Sequence, residues 1–445
     1  MATPTPSVKA VRGTRDLLPP ETALWARIEQ TAREVFSRYG FGEIRTPIFE
    51  ATELFARGVG EETDIVSKEM YTWEDRARAQ SEKAQSLTLR PENTAGVVRA
   101  YIEHKLGETG ALNKLFYIGP QFRRERPQRG RYRQFWQIGC EVLGPPTSGS
   151  ESPVRDAEVL EMLATLLDEL GVKNWRLELN SVGSTEDRKR YNAALREALA
   201  PVKHKLNEDN QRRAETNPLR VLDSKDPADQ EIIAALPKIA DYLDDDSRAH
   251  FAGVLAALDA CGVPYTINPR LVRGLDYYTR TTFEFTVPSS ADPATGLGTQ
   301  NALLGGGRYD GLSEMLGGPK APGIGFAIGE DRLVLTLQAQ TEALEPGTSN
   351  LEPSKLDAYI APMGAERNAA ALALARELRR AGLSVELGDG TFRLKKSFEA
   401  ADRVARHIVI LGEDELAGGS ATVKTFASGE QVKVERAKLT DLLRQ

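Results

Sequence analysis

Between residues 21 and 40 the apolar side chains Leu24, Trp25, Ile28, Ala32, Val35, Phe36 and Tyr39 recur at the period of one helix face, and Gly40 ends the pattern. The spacing predicts an amphipathic helix, and EIRTPIFE (43–50) follows as a short extended segment. SLTLRPENTAGVVRAYIEH (86–104) reads as a strand entering a helix near Ala95, with Asn93 or Thr94 as its cap. RARAQSEKAQS (76–86) is polar and aperiodic, the composition of an exposed loop. KLFYIGPQFRRERP (114–127) and RQFWQIGCEVLG (133–144) predict two strands of an antiparallel hairpin with a long connection. Residues 154–170 return to helical period, with Val159, Leu160, Leu163, Leu166, Leu167 and Leu170 on the buried face.

From 185 to 260 the pattern is charged and helical between two strand-rich blocks, as expected of an inserted helical subdomain. Strands resume at LVRGLDYYTRTTFEF (271–285), pass through LLGGGRYDGL (303–312) and end in APGIGFAIGEDRLVLTL (321–337), a glycine-rich strand running into a helix. AQTEALEPGTSNLEPSK (339–355) has the composition of a linker. Beyond it DAYIAP, the helix 366–383, SVELG, the helix SFEAADRVARH and HIVILG alternate as in a small α/β domain with a largely parallel sheet.

Alternation sharpens the strand after residue 133. Phe135, Gln137, Gly139 and Glu141 share one face, and Trp136, Ile138, Cys140 and Val142 share the other. One face is apolar. The other carries an amide, a carboxylate and a gap at Gly139, where a ligand can approach the backbone; a solvent-facing edge strand is the alternative.

The chain carries a net charge of −6, yet residues 122–133 hold six arginines and one glutamate. Local basic surfaces, rather than net charge, must therefore meet any nucleic acid. Arg123 follows an apolar strand directly, so a guanidinium is held at a strand end, where it can grip a phosphate with two hydrogen bonds. The loop arginines suit a polyphosphate or an RNA end. GxxxxGK[ST] does not occur, which leaves phosphates to arginines and metal. Cys140 and Cys261, each in apolar sequence, predict buried free thiols in a reducing compartment. The four histidines lack metal-ligand spacing, and no protein metal site is expected. No apolar run reaches the roughly 20 residues of a membrane span, and the N-terminus lacks a signal-peptide core. A cytoplasmic location is expected.

Taken together, the motifs resemble those of the class II aminoacyl-tRNA synthetases, and within them the histidyl-tRNA synthetases. VRGTRDLLPP and the helix to RTPIFE are similar to the N-terminal motif and dimer-forming motif 1, FRRERPQRGRYRQFWQIGCE to motif 2, and PGIGFAIGEDRL to motif 3. LVRGLDYY, GGGRYDGL, LRPENT and NPLRVLDSK are similar to segments specific to the histidine enzymes. The resemblance implies an α+β fold: an antiparallel catalytic sheet flanked by helices, a helical insertion, and a C-terminal α/β anticodon-binding domain. The corresponding boundaries are 1–184 and 261–338 for the catalytic core, 185–260 for the insertion, 339–355 for the linker and 356–445 for the last domain.

It further implies ATP-dependent activation of L-histidine and transfer to the 3′ end of tRNA(His) by a homodimer, with Mg²⁺ bridging the ATP phosphates and no membrane partner. Arg123 and Arg273 would be catalytic. Glu92, Thr94, Gln137, Glu141, Tyr277 and Tyr278 would bind histidine, with Glu141 and Tyr278 at the imidazole nitrogens. Arg123, Glu125, Arg131, Phe135 and Arg332 would hold ATP, the adenine lying between Phe135 and Arg332. Arg126, Gln128 and Arg129 would meet the tRNA acceptor end. Strand parity pairs Arg273 with Tyr277 rather than Tyr278, unless Gly274 breaks it. Asn93 and Arg124 depart from the family pattern at positions not assigned to substrate.

A non-catalytic relative, the regulatory subunit of ATP phosphoribosyltransferase, would lack the C-terminal domain and the intact RGLDYY. An RNA-sensing module would have lost Arg123, Arg273 and Arg332. In the last domain Arg393, Lys395 and Lys396 are either anticodon contacts or a solvated basic face.

Overall fold

The computed structural model describes residues 7–60, 63–75, 84–224, 226–288, 302–344 and 355–444. It divides into two compact units, Met1–Leu351 and Glu352–Gln445. Most of the loop expected at 76–86 and of the linker expected at 339–355 lies outside the described residues. The parts inside differ from expectation: Gln85 and Ser86 already pair in a strand, and the helix Glu330–Leu344 runs through the first residues of the linker segment.

The first unit contains β1 (Gly42–Glu43), β2 (Phe49–Ala51), β3 (Tyr71–Asp75), β4 (Gln85–Leu89), β5 (Asn113–Phe122), β6 (Gln134–Leu143), β7 (Arg176–Ser181), β8 (Tyr265–Ile267), β9 (Thr279–Thr286), β10 (Ala302–Arg308) and β11 (Gly323–Gly329). Eight of these form one sheet in the order β1-β5-β6-β11-β10-β9-β7-β8, and β2-β4-β3 form a smaller one. The six central strands of the large sheet pair antiparallel, while β1 with β5 and β7 with β8 are parallel at the edges. The sheet is therefore mixed.

Helices Glu21–Arg38, Pro153–Leu170, Asp245–Cys261 and Glu330–Leu344 bury their apolar stripes against one face of this sheet. Ile138, Cys140 and Val142 of β6 join that core, as alternation predicted. Ser152 caps Pro153–Leu170 by accepting from the Val154 N–H. The helix Asp245–Cys261 belongs to this core through Val254 and Leu258, whereas the insertion packs around its own centre, from Tyr191 to Leu243. Helical period identifies a buried stripe but not the core it joins. Cys261 ends that helix exposed, contrary to the expectation of a buried thiol; only Cys140 is buried.

Glu330 opens the last of these helices with its side chain fully buried, and neither carboxyl oxygen has a hydrogen-bond partner among the described residues. Burial, reinforced by the carboxylates of Glu29 and Asp331 and opposed by Arg33, pushes its pKa from 4.5 up to about 9. A folded-state value above the unfolded one means that the folded chain holds the extra proton. The associated stability is complete below the unfolded value and is lost as pH rises toward the folded value, by about 1.4 kcal/mol per pH unit. Glu330→Gln should remove that slope. Thermal melts of the two proteins should diverge in the variant's favour as pH rises from about 5 to 9, and a constant gap would show that Glu330 does not titrate there.

The second unit is a five-stranded sheet of β12 (Leu356–Pro362), β13 (Val385–Leu387), β14 (Ala405–Leu411), β15 (Ser420–Thr425) and β16 (Gln431–Glu435), in the order β13-β12-β14-β15-β16. The first three are parallel and the last two antiparallel. Helices Asn368–Arg380 and Leu439–Leu443 contribute to the core on one face and Leu394–Val404 to that on the other. The helix expected at 397–407 is therefore displaced toward the N-terminus, because Ala405–His407 belong to β14.

Candidate active site

On the face opposite the helical core, β6, β10 and β11 floor a cleft walled by the arginine loop and by residues 273–278, enclosing about 990 Å³ of space open to solvent. Of the residues assigned from sequence, Glu92, Thr94, Arg123, Glu125, Arg131, Phe135, Gln137, Arg273, Tyr277, Tyr278 and Arg332 all line it. Glu141 does not, being buried just behind the wall. Arg126, Gln128 and Arg129 are exposed on the loop above.

The hairpin of β5 and β6 pairs in register from Asn113 opposite Leu143 to Phe122 opposite Gln134, so Arg123 does stand at a strand end. Its Nε donates to the Pro91 carbonyl at 2.9 Å, and the guanidinium lies 5.3 Å from the centre of the Phe135 ring. Glu125 lies between two cations, with Arg131 at 3.2 Å and Arg123 at 3.9 Å. Arg332 reaches across to donate to the carbonyls of Ala302 at 3.1 Å and Gly130 at 3.4 Å. Arg123 thus lies over Phe135, and Arg332 lines the same cleft.

LVRGLDYY is irregular, and β9 begins only at Thr279, so strand parity does not govern this segment. A turn after Gly274 brings Arg273, Tyr277 and Tyr278 to one cleft together. Arg273 donates to Glu284 at 2.7 Å while its Nε has no partner among the described residues. It lies across Gly305, where a Cβ would collide with the guanidinium, and a Cβ at Gly307 would press on the Tyr278 ring. Two of the four glycines in GGGRYDGL therefore make room for side chains of the neighbouring RGLDYY.

The gap at Gly139 has a different occupant from the expected ligand. Tyr117 faces it across the hairpin, and its phenol fills the space a Cβ would take. Its buried hydroxyl has no hydrogen-bond partner among the described residues, and Tyr117 lines the cleft together with Gln137, whose Oε1 is likewise without a partner among them. A buried polar group at a cleft floor can meet a ligand or an ordered water.

Glu92 corrects the predicted cap. Asn93 makes no capping bond and its Oδ1 instead accepts from Thr46, whereas the Glu92 carboxylate accepts from the N–H groups of Thr94 at 2.8 Å and Ala95 at 3.0 Å. Its pKa is raised by burial, against the pull of those two N–H groups. Thr94 Oγ1 donates to Glu141 at 2.7 Å, and Tyr309 donates to the other Glu141 oxygen at 2.6 Å. Burial lifts Glu141 to about 8, with the two hydroxyls opposing and Glu92 adding to the rise.

Sequence reading missed Tyr117, Glu284 and Tyr309, although Tyr309 sits inside the quoted GGGRYDGL. It also missed the brace behind motif 3: Arg15 lies 4.9 Å from the centre of the Tyr132 ring and donates to Asp331 at 3.2 Å, and Asp331 accepts from the Trp136 N–H at 3.1 Å. Arg308 is not at the cleft. It is fully buried against Asp156, Asp310 and the Ser150 carbonyl, and is a structural cation. Among the described residues no group of three or more His, Cys, Asp or Glu is arranged to hold a metal, and no helix is long and apolar enough to cross a membrane.

A model of the histidyl-tRNA synthetase family matches residues 13–333, and one of an anticodon-binding domain matches 357–445. The chain belongs to the histidyl-tRNA synthetase family. It is 68% identical over 438 residues to a histidine-tRNA ligase of Koribacter versatilis, covering 98% of this chain and 96% of that protein. A second relative, the histidine-tRNA ligase of Solibacter usitatus, is 53% identical over 434 residues, with 97% and 98% covered. The crystal structure of the Staphylococcus aureus histidyl-tRNA synthetase superposes with a TM-score of 0.78 at 37% identity, over 99% of this chain and all of that one. In this family context the basic residues Arg393, Lys395 and Lys396 are exposed on the second unit, with Lys396 3.7 Å from the centre of the Phe392 ring.

Proposed function

We propose that this chain is an ATP-dependent histidine-tRNA ligase and that the cleft performs its first step. The histidine carboxylate attacks the α-phosphorus of ATP, forming the histidyl-adenylate and releasing pyrophosphate. A ribose hydroxyl at the tRNA 3′ end then displaces AMP from the carbonyl. The single observation that carries this reading is the cleft itself, which gathers arginines from motif 2, RGLDYY and motif 3 around a floor that carries Tyr117 and Gln137.

Arg123 and Arg273 approach the same space from opposite walls, and each supplies charge where the α-phosphate becomes more negative. Arg131 and Arg332 take the remaining phosphates, with Phe135 beside the adenine. Glu92 and Gln137 accept from the α-ammonium, Thr94 and Tyr117 lie beside the floor, and Glu141 with Tyr278 meets the imidazole. Mg²⁺ enters as part of the ATP substrate, because the cleft carboxylates Glu125 and Glu284 already face Arg131 and Arg273. The exposed Arg126, Gln128 and Arg129 are offered to the acceptor end, and Arg393, Lys395 and Lys396 to the anticodon arm. Incubating the purified protein with ATP, Mg²⁺, histidine and tRNA(His) transcript tests the whole reaction: acid-precipitable histidine is expected, and its absence would refute the reading.

A homodimer is part of the proposal. Ile48, Phe49 and Trp73 are 46%, 52% and 40% exposed, and the last two rings sit 6.1 Å apart on the small sheet that includes the RTPIFE segment. Such an apolar patch suits a second copy. Phe49→Asp should shift sedimentation from dimer to monomer, and an unchanged dimer would place the interface elsewhere.

A further inference from the structure

Glu141 is the only carboxylate assigned to the imidazole, yet it is fully buried behind the cleft wall, and among the described residues no cation offsets its charge. Its surroundings account for every group that can act on it. From β5 comes Tyr117, from the helix Thr94–Glu103 comes Thr94 with Glu92 just before it, from β6 its neighbour Cys140, and from the irregular segment Tyr277 and Tyr278. Tyr309 completes the ring at the end of β10. Two of these groups donate to the carboxylate, one to each oxygen: Thr94 at 2.7 Å and Tyr309 at 2.6 Å.

Tyr309 is placed for that one contact. It is buried, its ring packs edge-on to Tyr277 at 6.0 Å, and Gly323 leaves the space that its ring occupies. Arg308, the preceding residue, is locked by Asp156, which also receives His250 at 2.8 Å, so the backbone that carries the phenol cannot drift. Gly325 admits the Glu141 carboxylate from the other side, since a Cβ there would collide with Oε2, the oxygen that Tyr309 holds.

We propose that Tyr309 is a positioning residue for histidine selection, acting through Glu141: its hydroxyl aims one carboxylate oxygen, stabilises the ionised form and leaves the remaining lone pairs for the imidazole N–H. Removing the hydroxyl leaves the buried carboxylate with one donor instead of two. The charged form loses stabilisation, and the carboxyl keeps its proton to higher pH. This inference rests on the reading that Glu141 meets the imidazole, and that reading is tested separately by Glu141→Gln.

The test is pyrophosphate exchange by Tyr309→Phe, measured against histidine and against ATP between about pH 6 and pH 9. The KM for histidine should rise roughly tenfold near neutral pH, the KM for ATP should stay unchanged, and the histidine defect should shrink as pH rises and Glu141 ionises in both proteins. In a Glu141→Gln background the same substitution should add nothing, because the group it acts on is gone. A defect independent of pH, an equal effect on ATP, full additivity in the double variant, or no defect at all would overturn the positioning role. A Glu141→Gln variant that binds histidine normally would instead overturn the reading beneath it. The ATP KM of each variant doubles as the check that its cleft has folded.

Discussion

Replacing Arg273 with alanine should slow histidine-dependent pyrophosphate exchange by roughly a thousandfold while changing the dissociation constant for histidine by no more than a few fold. The guanidinium is held by Glu284 at 2.7 Å and by the absence of a side chain at Gly305, so it is oriented before substrate arrives. A charge placed beforehand costs no reorganisation when negative charge grows on phosphorus, and its loss falls on the transition state more than on the ground state. Single-turnover kinetics with saturating histidine separates the two. A defect confined to histidine binding would contradict the transition-state role.

Glu141→Gln should produce the opposite split. The KM for histidine is expected to rise by about two orders of magnitude while the KM for ATP stays nearly constant. The variant keeps the shape but not the charge, and an amide must present an N–H to one of two hydroxyls, Thr94 and Tyr309, that now donate to both carboxylate oxygens. A mismatched donor in a buried site costs more than a lost contact. The pH dependence follows from the same group. Burial lifts the Glu141 pKa to about 8, so the ionised form that accepts from an imidazole N–H gains population as pH rises through that value, and histidine affinity in the wild-type protein should improve between pH 7 and pH 8. Equal effects of the substitution on both substrates would remove Glu141 from the histidine pocket.

Much of this site was legible in the order of residues. Alternation placed Phe135, Gln137 and Glu141 on one face of β6 and Ile138, Cys140 and Val142 on the other, because a strand buried on its apolar face has a fixed period. The helical stripes at 21–38 and 154–170 were equally plain. What remained hidden depends on contacts between distant segments. Nothing in Gly139 itself says that Tyr117 fills its gap; that follows from a cross-strand register set by a hairpin whose turn is irregular. The function of Arg308 depends on Asp156, which lies 152 positions away. Parity failed at 271–278 because β-like composition there forms a turn, and it is the turn that allows Arg273, Tyr277 and Tyr278 to share a cleft. Asn93 looked like the cap by residue type, but Glu92 took the two helix N–H groups, which left Asn93 to Thr46.

The central claim is that one cleft activates histidine and no other amino acid. Pyrophosphate exchange into ATP by the purified protein, assayed with each amino acid in turn in the presence of Mg²⁺ and without tRNA, tests it most directly. Exchange that appears with histidine and is lost in Arg273→Ala is the predicted result. No exchange with histidine, or comparable exchange with another amino acid, would contradict it.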